Sequence, residues 1–481
     1  MLQASHALVS ALLAAGLILV GLAAVPTRAE GEPPQTHERI HDGKPVLDDA
    51  LSSRWGPDYF AQGGVVTNGV AYFTADQSYS KHWKGPEFPF VVAFDMANFR
   101  RLRTYPFQDT YDSCPLVIRR RDGVWLVIAH EYKNARTVAM DRDSGEVLWA
   151  SDNNQPGAYF FGYSYYTKQD GTKLILAASQ NGLHAMSGET GADVWWLASS
   201  STGGVTPCVD QATGWVFYQS DGRVVKVRAA DGSMLASTSV GWPDKCVSWN
   251  TVLVKDEHGY YVATYWFSFR SRDGTGKQMG WTSAIRVFDS ELNLVWERTG
   301  LPGAKKSTLT YADGKLVIGT GGHWGARYVG THWKYIAAYA VDTGKPVWRC
   351  DLSGIEYDGI INVPYAYGRF FAESWGKTGK LLRINGKTGK LEQVLDYGVG
   401  IGSCAPCLIA RGMMLSGDLP RDGVLITRLA EGSTAEWPGP FGDPQTNTYA
   451  LPDEPEATLV PMCEIATPGP DSVPYQPSAG P

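Results

Sequence analysis

VAMDRDSGEVLW, Val138 to Trp149, carries a phrase that recurs along the chain: an apolar-alternating strand, a turn rich in Asp, Gly and Ser or Thr, then a strand closing on Trp. Plain copies follow as LHAMSGETGADVW (Leu183 to Trp195), IAAYAVDTGKPVW (Ile336 to Trp348) and LLRINGKTGKLEQV (Leu381 to Val394). Weaker copies are VVKVRAADGSMLA (Val224 to Ala236) and IRVFDSELNLVW (Ile285 to Trp296). Degenerate ones are VVAFDMANFRRLR (Val91 to Arg103) and LITRLAEGSTAEW (Leu425 to Trp437). Anchored on the turn residue, the copies fall at Phe99, Gly145, Gly191, Gly232, Leu292, Gly344, Gly389 and Gly432, in steps of 46, 46, 41, 60, 52, 45 and 43. Such spacing is the mark of a repeat architecture.

Each repeat resolves into four short strands. In the second, Cys114 to Ile118, Val124 to Ala129, Thr137 to Met140 and Glu146 to Trp149 are predicted, separated by turns rich in Asp and Gly. The third runs the same way through Gly162 to Tyr166, Leu174 to Ala178, Gly182 to Met186 and Asp193 to Leu197. Period-two alternation broken by D-G, N-G and T-G turns is the strand-and-hairpin signal. Tandem four-stranded antiparallel units make the blades of a β-propeller. Eight anchors predict eight blades, with seven as the alternative.

The turn has a physical logic. An Asp or Asn side chain bonds backbone amides within it, Gly supplies a positive φ, and the Trp four residues on can lie flat between neighbouring blades. The D-x-x-T/S-G-x-x-x-W pattern at Asp141 to Trp149, shifted at Asp342-Thr343-Gly344 to Trp348, resembles the repeat of the PQQ-like, quinoprotein-type β-propellers. The resemblance covers about residues 59 to 437 and implies a closed ring of seven or eight blades. Enzymatic relatives, the PQQ-dependent alcohol dehydrogenases, carry vicinal cysteines beside the cofactor, a bound Ca²⁺ and an Asp base. Here no two cysteines are adjacent and no motif assigns a base, so a non-catalytic member, similar to the periplasmic outer-membrane assembly lipoprotein, is the favoured reading. PQQ is the cofactor that the enzymatic alternative would require.

Composition bounds the remainder. The chain has 481 residues, 43% hydrophobic, with 54 Gly and 28 Pro, which suits a protein built of turns around a large core. A net charge of −6 gives no reason to expect nucleic-acid binding, since a phosphate reader carries a clustered basic excess. Residues 1–29 read as an export signal: Ala7 to Ala24 is almost wholly apolar, and Thr27-Arg28-Ala29 places small residues for a cut before Glu30. An exported, periplasmic or extracellular protein without a membrane span after cleavage is expected. Seven cysteines remain, an odd count, so some are expected to pair and at least one to stay free. Cys404-Ala-Pro-Cys407 has redox spacing but opens a predicted strand, not the helix N-terminus that lowers a thiol pKa, so a structural disulfide or buried thiols are expected.

Function in propellers sits on loops over one face, because the blades are occupied in mutual packing. Three second-to-third-strand insertions stand out: Ala75 to Phe90, Ser268 to Ser283 and Gly319 to Tyr335. They bring His82-Trp83-Lys84, His323-Trp324, Arg327 and His332-Trp333 to the predicted channel mouth. Aromatic plates beside hydrogen-bond donors suit a sugar ring or a partner's planar group. The His spacing fits no metal motif, and no catalytic residue is assigned. Residues 30–58 read as an N-terminal arm and 438–481 as a Pro-rich tail. The sequence therefore points to a binding or scaffold propeller that holds a protein or a carbohydrate at its mouth. A PQQ-dependent dehydrogenase and a polysaccharide-active propeller enzyme are the alternatives.

Overall fold

The computed structural model describes the strands and most turns between residues 60 and 428, with short strands at 35–37, 40–41, 44–45 and 52–55. Residues 1–34, 429–481 and the long connections 77–89, 108–113, 152–161, 199–205, 240–250, 270–280, 302–307, 320–334 and 397–406 fall outside the described residues. The proposed signal, the Pro-rich tail, Cys246, Cys404 and Cys463 lie there.

Antiparallel sheets follow one another along the chain as the alternation requires. Blade 2, for example, is built from Leu116–Arg119, Trp125–Glu131, Arg136–Asp141 and Val147–Ala150, and blade 3 from Tyr163–Thr167, Lys173–Ser179, Gly182–Ser187 and Asp193–Ala198. Blade 1 spans Phe60–Tyr105, blade 4 Cys208–Ser239, blade 5 Thr251–Thr299, blade 6 Leu309–Asp351 and blade 7 Gly359–Asp396. First strands of blades 3 to 6 touch one another in succession, and fourth strands form the outer wall. The fold is a β-propeller of four-stranded antiparallel blades.

The described residues show seven blades, not the eight that the turn anchors predict. The strands after blade 7 do not complete a repeat of their own. Leu408–Ala410, Met413–Asp418 and Gly423–Arg428 pair in order, and the place of a fourth strand is taken by Ser52–Trp55 from the N-terminal side, with Gln35–His37 outside it. This five-stranded sheet joins the two ends of the chain and abuts blade 1, where a Cβ placed on Gly64 would meet the Leu408 side chain. The anchor read at Gly432 lies beyond its last strand.

One junction, repeated from blade to blade, holds the ring. The Asp141 carboxylate accepts the amides of Asp143 and Ser144 at 2.8 and 2.6 Å, closing the turn, and Gly145 takes φ +78°. Asn385 does the same for Lys387 and Thr388 at 3.1 and 3.0 Å, with Gly389 at φ +68°. The Trp of each blade then lies on the turn glycine of the next. A Cβ on Gly191 would sit 2.4 Å from the Trp149 ring, and one on Gly389 2.5 Å from Trp348. Each indole N–H donates to the carbonyl three residues before that glycine: Trp149 to Gly188 at 3.2 Å, Trp195 to Ala229 at 2.8 Å, Trp296 to Val341 at 2.7 Å and Trp348 to Gly386 at 3.0 Å. Glycine is required because the indole face occupies the space of a side chain and the backbone is left-handed.

Two junctions reach the same end with other residues. Blade 1 has Arg103 at the Trp position; its guanidinium lies over Gly145 and donates to the Ser144 carbonyl at 2.5 Å, while Tyr105 OH donates to Arg142 O at 2.7 Å. Blade 4 has Ala236 there, and the facing turn residue in blade 5 is Leu292, which keeps φ +63° and is 4% exposed. The leucine fills the space left by the missing indole. Lys226, beneath it, sets its ammonium 3.5 Å from the Trp215 ring centre and donates to Ser290 O at 2.8 Å and to Glu291 at 3.1 Å.

A β-bulge follows in blades 1 to 7 where the third strand meets the fourth, for instance between Ala139 and Met140. The extra residue turns two consecutive side chains outward where strict alternation would expose one. In blades 2 to 6 at least one of the two is a large apolar residue: Val147 and Leu148, Val194 beside Asp193, Met234 and Leu235, Leu294 and Val295, and Val347 beside Pro346, these apolar residues being 37–56% exposed.

Candidate functional site

The strand frame places the three long insertions at one end of the ring. Each joins the second to the third strand of its blade: Val70–Asp76 to Phe90–Asp95 in blade 1, Gly259–Phe269 to Trp281–Phe288 in blade 5, and Lys315–Ile318 to Tyr335–Ala340 in blade 6. In blades 2, 3 and 4 the same connection is a few residues. His82, Trp83, Lys84, His323, Trp324, Arg327, His332 and Trp333 all lie outside the described residues, so only the strands from which they spring are placed. The inter-blade segments with Asp109 to Asp112, Lys305-Lys306 and Glu356 to Asp358 lie outside as well.

What the structure does bring together below those insertions is a buried polar collar. Thr74, His130, Gln219, Tyr265 and Glu373 occupy one register position on the second strands of blades 1, 2, 4, 5 and 7, each opposite the residue four before the position that Asp141 holds at the start of the third-to-fourth turn in blade 2. All five are at most 6% exposed. Polar groups this deep are costly unless bonded. They sit among hydrogen bonds that run from blade to blade: Thr137 with Tyr163 OH at 3.2 Å, Gln219 Nε2 to Thr251 Oγ1 at 3.4 Å, and Thr308 Oγ1 to Asn362 Oδ1 at 3.1 Å. Glu131, 3% exposed at its side chain, accepts Arg136 Nε at 2.6 Å. Sequence reading missed the collar because each member sits singly inside an apolar strand, and only register aligns them.

Burial and ion pairing shift several titratable groups outside the collar. Burial pushes the His184 imidazole down to about 4, so it is neutral near pH 7; it stacks on Trp196 with ring centres 5.4 Å apart. Cys208, Cys350 and Cys407 are buried free thiols, and Cys114 is buried as well. Burial raises Cys350 to about 11 and Cys407 well above its ordinary value, which leaves the Cys407 member of the CxxC without thiolate character. Asp210 would be raised by burial, but Lys255 at 3.0 Å and Thr213 at 2.8 Å bring its carboxyl below the usual value. It thereby links blades 4 and 5. No group of three or more His, Cys, Asp or Glu among the described residues could hold a metal.

At the opposite end a cleft of about 630 Å³ lies among the turns of blades 5, 6 and 7, lined by Asp256, His258, Tyr311, Asp313, Tyr365 and Lys387. Two of its carboxylates are engaged, Asp256 accepting Tyr311 OH and Asp313 pairing with Lys315, while Glu257 is exposed.

The family model described as outer membrane protein assembly factor BamB matches residues 133–257, from the end of blade 2 into blade 5. The matched stretch carries the junctions of Trp149 with Gly191 and of Trp195 with Gly232. These blades are PQQ-like propeller blades. Among solved structures, the PQQ-like propeller is similar to BamB from Moraxella catarrhalis, with 14% identity over 79% of this chain and 96% of that one, at a TM-score of 0.49. It is similar also to quinohemoprotein alcohol dehydrogenase from Comamonas testosteroni, with 13% identity over 81% and 78% of the two chains, at a TM-score of 0.50. At such identity the likeness speaks to the fold. No curated protein matches the chain.

Proposed function

We propose that this PQQ-like propeller is an exported binding or scaffold protein that holds a partner protein or a glycan at the end of the ring carrying the long insertions. The observation that carries the reading is their placement: three long connections, each rich in aromatic and basic residues, all join second to third strands and so leave their blades at the same end. Blades 5 and 6 are neighbours, joined through Trp296 and Val341, so two of the three stand side by side. His82, Trp83, Lys84, His323, Trp324, Arg327, His332 and Trp333 are the proposed contact residues. Indole faces supply apolar area, their N–H groups supply direction, and the charged neighbours set orientation.

The catalytic alternatives have less support. Among the described residues the Cys350 and Cys407 thiols are raised by burial, which disfavours a nucleophilic sulfur. Export rests on residues 1–29, and no helix among the described residues is long and apolar enough to cross a membrane. The deciding experiment compares the mature chain with a Trp83→Ala, Trp333→Ala variant in glycan-array and affinity-capture measurements from the periplasmic or secreted fraction. Retention of every captured partner and glycan by the variant refutes the mouth as the site. A mature N-terminus other than Glu30 refutes the proposed cut.

A further inference from the structure

All nine exposed large apolar side chains among the described residues lie on fourth strands, on five consecutive blades. Eight are bulge residues of blades 2 to 6, two each from blades 2, 4 and 5 and one each from blades 3 and 6, and the ninth is Trp196, which is 51% exposed and backed by His184 and Gly182. Exposed apolar side chains repeated on the outer strands of successive blades suit a docking surface. The bulges disfavour the straight edge that strand addition needs, so the occupant makes side-chain contacts in place of a hydrogen-bonded ladder.

We propose that the Pro-rich C-terminal segment of this chain, residues 438–481, lies along this apolar arc as an extended belt. Three observations select it over other occupants. First, the chain leaves the last sheet at Arg428, the end of a strand in the third position, which in the other blades is the end bearing the third-to-fourth turn. The bulge pairs follow directly after those turns, so exit and arc share one end of the ring. Second, at ~3.1 Å per residue in a polyproline conformation the segment reaches on the order of 130 Å. Sheets packed face to face stand ~10 Å apart, and more at the rim, so this length passes several blades. Third, the chemistry is complementary. The segment has prolines that donate no ladder hydrogen bond, apolar anchors at Leu451, Leu459, Val460, Met462 and Ile465, and six carboxylates with no Lys, Arg or His. The sheet it leaves abuts blade 1, whose fourth strand carries Arg100, Arg101 and Arg103, so an acidic belt crosses basic residues before it meets the apolar arc. The belt does not depend on what the mouth binds.

Cys463 makes the test direct. In the full chain with Cys246→Ser and Cys404→Ser, a thiol is introduced as Leu148→Cys, Met234→Cys or Leu294→Cys, and as Lys390→Cys on blade 7 for control. A short bismaleimide should join Cys463 to at least one arc position at monomer mass, severalfold faster than to the control. Hydrogen exchange of the fourth strands of blades 2 to 6 should quicken when the chain is ended at residue 437. It should quicken likewise in the full-length Leu459→Ser, Val460→Ser, Met462→Ser variant, which keeps the comparison valid should the truncated chain fold poorly. Equal cross-linking at arc and control, or exchange unchanged in the full-length variant, overturns the proposal. Cross-links found only at dimer mass also overturn it, because a second copy is then the occupant.

Discussion

Leu292 should be replaceable only together with Ala236. At this junction a leucine at φ +63°, 4% exposed, stands where the neighbouring junctions have glycine under an indole. Holding a side chain in the left-handed region costs roughly 1–2 kcal/mol. The leucine persists because it packs among Cys208, Phe217, Val262, Trp266 and Phe288, and truncating such a side chain costs about 2–5 kcal/mol. Leu292→Gly removes the packing but relieves the backbone, for a net loss of about 1–3 kcal/mol by those two figures. Leu292→Ala keeps the strain and should be worse than the glycine variant by about 1 kcal/mol, although it deletes less. Ala236→Trp alone overpacks the junction at a cost of about 1–3 kcal/mol. In the double variant the indole finds the glycine, and the gain rests on that stacking, since the Asp289 carbonyl already accepts the amide of residue 292. The pair should therefore couple favourably by about 2 kcal/mol. Urea midpoints of the four chains at constant slope measure this cycle. Additive losses, or an alanine variant as stable as the glycine one, would show that the residue is not a stand-in for the glycine and indole pair.

The same geometry predicts that Gly389→Ala destabilises more than an ordinary loop change. A methyl 2.5 Å from the Trp348 ring at φ +68° must displace the indole or the turn, a loss of about 3 kcal/mol or more seen as a lower thermal midpoint. A midpoint within a degree of the parent refutes the stacking argument. Acidification should weaken the fold through His184. Its imidazole titrates near 4 when folded and near 6.5 when unfolded, so the unfolded chain binds more protons between those values and stability falls as pH drops from about 6.5 to about 4. The loss attributable to this one group is of order 3 kcal/mol, and His184→Leu should flatten that part of the pH profile. A variant with the parent's slope across that window contradicts the assignment.

The propeller was legible in the sequence because its two decisive signals are local. Alternation over a strand and an Asp-to-Gly turn at Asp141 to Gly145 are properties of a dozen consecutive residues, and they recur at the spacing of one blade. The Trp that closes each phrase was legible too, since an indole beside a turn glycine has few other uses. The stand-ins were not. Arg103, Tyr105 and Leu292 solve the junction with different chemistry, and only the contact across two blades reveals that Arg103 over Gly145 is equivalent to Trp149 over Gly191. The closing sheet was hidden for the same reason. Ser52–Trp55 pairs with Gly423–Arg428, and no pattern within either stretch names a partner so distant in sequence.

The mouth residues were selected by loop length and composition, and the strands now place the roots of those loops at one end. The collar formed by Thr74, His130, Gln219, Tyr265 and Glu373 required register, because a single polar residue in a buried strand looks like noise until seven sheets are superimposed by their ladders. The apolar arc required the bulge, which exposes two successive side chains where the sequence period predicts one. What the chain alone determined was the repeated unit, because hydrogen bonding within a hairpin is fixed by neighbours in sequence. What only the folded ring decided was how units meet, because packing between blades depends on groups that sequence separation keeps apart.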